Sequence, residues 1–86
     1  MTMLNAPQWL TRRQGALKHD LNGDTLVVTI DGMPLYRLFA TPATGQFTCV
    51  VTQTNNGKRL DGGKLYPSIE AALAGGLEEL RERLGW

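Results

Sequence analysis

The stretch YPSIEAALAGGLEELRERL, residues 66–84, decides the fold. Within it Ile69, Leu73, Gly76, Leu77, Leu80 and Leu84 recur at helical spacing. Before it the rhythm is different, with short apolar runs separated by turn pairs such as Asn22-Gly23, Asp31-Gly32 and Asn56-Gly57. Strands followed by one amphipathic helix predict an α+β domain. Its antiparallel β-meander of three to five strands packs against the C-terminal helix, and a short helix precedes it. Ser68 caps the C-terminal helix if the first turn starts after it, and Tyr66 does so if Pro67 is the first helical residue. Glu70 in the first turn and Arg81 and Arg83 in the last suit the helix dipole. Glu79 and Arg83, four apart, are expected to pair. Gly75-Gly76 interrupts an otherwise good helix former, which points to close approach between helix and sheet. Gly85 ends the helix, and Trp86 is placed to fold back on its last turn.

Upstream, Asn5 is expected to cap a short helix with Pro7 in its first turn and Gln8 completing a capping box. Leu4 and Trp9 occupy staple positions across that cap, and Gly15 ends the helix. Strands are predicted over Leu17–Leu21, Thr25–Ile30, Pro34–Ala40 and Gln46–Thr54, followed by short extended pieces at Lys58–Leu60 and Lys64–Tyr66. Thr41–Gly45 reads as a turn. The core is expected to hold Leu26, Val28, Ile30, Phe47, Cys49, Val51, Ile69, Leu73, Leu77 and Leu80. The strand at Pro34–Ala40 is ambiguous, because Leu35, Arg37 and Phe39 alternate with Tyr36, Leu38 and Ala40. If the second set points inward, Leu35 and Phe39 join Val27 and Val50 on the outer face. That face is then either an exposed apolar patch bounded by Arg37 and threonines or a surface covered by the N-terminal helix through Trp9.

The chain of 86 residues suits one domain with a thin core. No apolar run reaches the ~18 residues of a membrane span, so no membrane partner is expected. The lone Cys49 and the lack of a basic-then-apolar leader suggest a cytoplasmic setting. Formal net charge is +1 but unevenly spread. Arg12, Arg13 and Lys18 stand without an acid in the first 19 residues, while the C-terminal helix carries four glutamates against two arginines. Strong non-specific nucleic-acid binders usually show a larger basic excess, so only a local basic patch is allowed.

Catalytic chemistry is sparse. Ser68, the only serine, reads as a helix cap, and Cys49 as a buried thiol between Phe47 and Val51. One Cys and one His19 give a poor zinc set. Asp20-Leu-Asn-Gly-Asp24 resembles the start of a calcium loop but has Thr25 where that loop requires glycine. The glycine-rich Asn55–Lys64 stretch lacks both phosphate-binding fingerprints, so no cofactor is expected.

From Leu35 to Gly76 the order of strand, turn, strand, Gly57-Lys58-Arg59 turn, short strand and helix resembles the ethylene-response-factor type of DNA-binding domain and related integrase N-terminal domains. Gly45, Phe47, Gly63, Tyr66 and the run Ser68–Ala74 carry the rest of that resemblance. It implies a sheet that enters a DNA groove through strand arginines and tryptophans. Here the strands offer one central arginine, Arg37, and no tryptophan. Two readings follow. In the first, the domain is a non-catalytic interaction module that binds a protein partner or its own copy through a sheet face or edge. In the second, it binds nucleic acid through basic residues of the sheet and N-terminal segment. The residues that serve these readings are Arg12, Arg13, Lys18, Arg37, Thr48, Thr52, Lys58 and Arg59.

Overall fold

The computed structural model describes residues 6–19, 24–60 and 62–85. Seven elements follow in order: α1 (Gln8–Thr11), β1 (Gly15–His19), β2 (Thr25–Ile30), β3 (Met33–Ala43), β4 (Gln46–Gln53), β5 (Leu65–Tyr66) and α2 (Ile69–Leu84). The strands form one antiparallel sheet in the order β1-β2-β3-β4-β5, a meander in which each strand pairs with its neighbour in sequence.

The turns set the register. Asp31 and Gly32 have φ of 53° and 80° between the paired Ile30 and Met33. Thr44 and Gly45 have φ of 45° and 78° between the paired Ala43 and Gln46. Positive φ at both central residues of a two-residue loop matches the right-handed strand twist. The expected turn at Thr41–Gly45 therefore shrinks to two residues, and β3 runs on through Thr41, Pro42 and Ala43. Pro42 lies beyond the last described β2 pair, Thr25 with Phe39, so its missing N–H interrupts no described rung of that ladder. A further irregularity sits between Val28 and Thr29, where the register jumps from Tyr36 to Pro34 and leaves Leu35 as the extra residue.

The ambiguity in β3 resolves with Tyr36, Leu38 and Ala40 inward. Leu38 faces Leu26 on one side and Val51 on the other, so the inner face is continuous across β2, β3 and β4. Leu10, Leu26, Val28, Tyr36, Leu38, Ala40, Cys49, Val51, Ala72, Leu73, Leu77 and Leu80 form the core. Two expected core residues, Ile30 and Phe47, are only partly buried at its margin. Ile69 is a correction: it is 37% exposed as the first residue of α2, while Ala72, one turn on, takes the buried position.

α2 starts at Ser68, whose Oγ accepts the Ala71 N–H at 3.1 Å, and ends at Gly85 with φ 72°. The Gly75-Gly76 pair allows the expected close approach. A Cβ at Gly76 would overlap the Cys49 side chain and press on Leu38, and one at Gly75 would overlap the Tyr66 ring. At the other end α1 is a single turn that begins at Gln8, with Pro7 as its cap and no side-chain capping bond. The capping-box placement of Gln8 is thus corrected; Leu4 and Asn5 lie outside the described residues, as do Trp86 and the Asn22-Gly23 turn. Gly15 does not end the helix but opens β1, packed against Leu10. The first strand accordingly begins at Gly15, two residues before the expected Leu17, while Asp20 and Leu21 of the expected strand lie outside the described residues.

Two stability measurements check this packing. Gly76→Ala should lose about 2 kcal/mol in urea unfolding, although alanine is the better helix former, because the methyl enters a filled core. Thr44→Asn should gain about 0.5–1 kcal/mol, because a β-branched residue at positive φ is strained and asparagine relieves it.

Candidate functional site

Strand pairing places four of the sequence-derived binding residues in one row. Lys18 in β1 faces Val27 in β2, Val27 faces Arg37 in β3, Arg37 faces Thr52 in β4, and Thr52 bridges to Arg59 beyond it. Side chains directly opposite share a face, so this row runs straight across the outer surface of the sheet. With strands about 4.8 Å apart, Lys18, Arg37 and Arg59 recur about every 10 Å along a line of roughly 20 Å. All three are exposed, and the residues between them are short.

The next row holds Thr25, Phe39 and Val50, and the one after it Thr41, Thr48 and Leu65. The Arg37 guanidinium lies over the Phe39 ring, 5.5 Å from its centroid, a cation–π arrangement that ties the basic row to the apolar one. Val50 is buried among these neighbours, Phe39 is half-buried and Leu65 is 48% exposed. The Thr48 hydroxyl is shielded from solvent and has no hydrogen-bond partner among the described residues. Both described helices pack on the opposite face, α2 through Gly76 against Cys49 and α1 through Leu10 in the core. The N-terminal helix thus contributes Trp9 to the inner side and does not cover the outer one.

Charge is segregated along the same division. None of the five strands contains an aspartate or glutamate; the four glutamates all lie in α2, and of the described aspartates Asp24 precedes β2 and Asp31 lies in the β2–β3 turn. Among the described strand residues the charges of the outer face are thus cationic, while Asp24 stands at its margin and accepts the Thr25 hydroxyl at 3.3 Å. The remaining sequence-derived residues do not join the row. Arg12 and Arg13 sit in the turn between α1 and β1, with Arg13 donating to the Trp9 carbonyl at 3.2 Å. Lys58 lies in the β4–β5 connection, its N–H bound by Asn56 Oδ1 at 2.9 Å.

On the helical side, Glu79 is occupied differently from the expectation that it pairs with Arg83. Its carboxylate accepts the Gly62 N–H at 2.7 Å and the Tyr66 hydroxyl at 3.3 Å, fastening the β4–β5 connection to α2. The exposed ion pair of the helix is instead Glu78 with Arg81, at 3.2 Å. Beside this clasp lies a shallow depression of about 380 Å³ lined by Gly62, Lys64, Glu79, Glu82 and Arg83. Its charges are mixed and its walls open, so it lacks the apolar enclosure of a small-molecule site. Ser68 Oγ is engaged in capping, Cys49 is buried, and among the described residues no three His, Cys, Asp or Glu side chains cluster as a metal site. No helix among the described residues is long and apolar enough to cross a membrane.

Comparison with protein-family models, with curated proteins and with solved structures gives no match.

Tyr66 titrates above its ordinary value of 10.0, first because burial disfavours the phenolate and then because the Glu79 charge and hydrogen bond favour the protonated hydroxyl. The unfolded chain therefore releases this proton before the folded one does. The associated stability is complete below pH 10.0 and is lost as pH rises through the folded pKa. Following the Tyr66 ring by NMR should show that Glu79→Gln moves its midpoint down toward the ordinary value, with part of the elevation left by burial. An unchanged midpoint would dissociate Glu79 from the clasp.

Proposed function

We propose that this domain is a non-catalytic interaction module that receives an anionic partner on the outer face of its sheet. The observation that carries this reading is the row Lys18–Val27–Arg37–Thr52–Arg59, in which two cations stand on β1 and β3, strands without a carboxylate, and a third is bridged to β4 from the β4–β5 connection. A cationic surface over a low-dielectric sheet raises the local concentration of anionic ligands and orients their approach. The apolar rows beside it supply area that binding removes from water, and the paired strands form a rigid platform that costs little to order. The scarcity of grouped acid, base and nucleophile supports a binding role over a catalytic one.

Heparin, a generic polyanion, tests the reading. Substituting Lys18, Arg37 and Arg59 together by glutamine should sharply reduce retention on a heparin column. Substituting Arg12, Lys64 and Arg83 by glutamine, an equal change in net charge away from the row, should leave most of it. Equal losses in the two triple variants would show that net charge acts and the row does not.

A further inference from the structure

We propose that the anionic partner is a single strand of nucleic acid, lying along the basic row with its bases turned toward Phe39; this rests on the anion-binding reading above. Three features of the outer face narrow the partner. The cations form a straight track, recurring about every 10 Å with only Val27 and Thr52 between them, which suits a ligand whose charges also lie in line. The track is flanked on one side by Phe39 and Val50, and then by Leu65, so the same ligand must present apolar faces along one edge of its charged line. The Arg37 guanidinium over the Phe39 ring joins the two bands, offering charge and a stacking surface at one point.

Single-stranded nucleic acid has this double character: a line of phosphates with flat bases free to stack on aromatic side chains and guanidinium groups. A duplex keeps its bases stacked on one another and would leave the Phe39 band without a counterpart. An acidic peptide supplies charge on flexible stems but no flat faces, and holding those stems in line costs side-chain entropy. Around the band the Thr25 and Thr52 hydroxyls are donated to Asp24 Oδ1 and the Arg37 carbonyl, that of Thr48 is shielded, and Thr41 is no rigid bidentate donor, so binding should tolerate many base sequences.

The experiment is fluorescence anisotropy with a labelled oligothymidylate of about 15 nucleotides, titrated from about 20 to about 200 mM KCl. Three neutralised phosphates give a slope of log affinity against log salt of about −2, and Arg37→Gln should reduce it by about 0.7. An abasic strand of equal length should bind with the same slope but about tenfold more weakly, since it lacks the stacking contribution. Phe39→Leu, which keeps an apolar side chain and should melt near the parent, should bring the thymidylate to the level of the abasic strand. Equal affinity for the abasic strand, tighter binding of a duplex, or equally tight binding of polyglutamate would each overturn the single-strand assignment while leaving the anion-binding face standing. Loss of heparin discrimination between the two triple variants would remove the face itself.

Discussion

The contact between Gly76 and the Cys49 and Leu38 side chains is the constraint on which the rest of the molecule depends. It lets the backbone of α2 come down onto β3 and β4 at the centre of the sheet, where any other residue would hold it away. Once the helix lies there, Leu73, Leu77 and Leu80 reach the inner residues of β2, β3 and β4, and the parity of each strand is set. A one-residue change of parity in β3 would send Arg37 into the core and Leu38 to solvent. The charged row on the far face is thus a consequence of the helix packing, held by the same strands that form the core.

Glu79 adds a second fastening. Its carboxylate holds the Gly62 amide and the Tyr66 hydroxyl, tying the two-residue β5 to the helix that follows it. So short a strand gains little from its own ladder, with only Phe47–Tyr66 and Thr48–Leu65 paired. The helix clasp keeps β5 in register, and Leu65 is thereby placed on the outer face next to Thr48.

Most of this architecture was legible in residue pattern because local and long-range preferences agree. The α2 span, its Gly85 end and the close approach at Gly75-Gly76 follow from spacing and turn chemistry, and of the two cap candidates, Ser68 and Tyr66, the structure uses Ser68. In β4 the set Phe47, Cys49 and Val51 falls on the inner side as its sequence alternation with threonines suggests, although Val50 on the other face is buried too. Legibility fails where both faces of a strand are apolar or where a turn uses unusual residues. In β3 neither parity is distinguished by hydropathy, and only pairing with Leu26 and Val51 selects one. Thr44-Gly45 hides a tight turn because threonine is a poor residue for positive φ. Of the candidate binding residues, Lys18, Arg37, Thr52 and Arg59 are scattered over more than forty positions in sequence, and only the ladder of paired strands assembles them. Arg12, Arg13 and Lys58 share their charge but lie in turns, which no composition argument separates from strand positions.

A charge on the outer face of a sheet has an ordinary explanation in solubility and protection of edges, and the positions differ in how far that explanation reaches. Lys18 lies on β1, the edge strand, where a lysine discourages pairing with other chains and needs no further role. Arg37 lies on β3, the central strand, paired on both sides and in no need of edge protection. A solubilising residue there could equally be a carboxylate, yet the strands hold none and the glutamates are gathered on α2. One sign of charge, placed centrally, stacked on an aromatic ring and continued in line on both sides, is more order than solubility requires. That order is what the proposed anion-binding reading rests on.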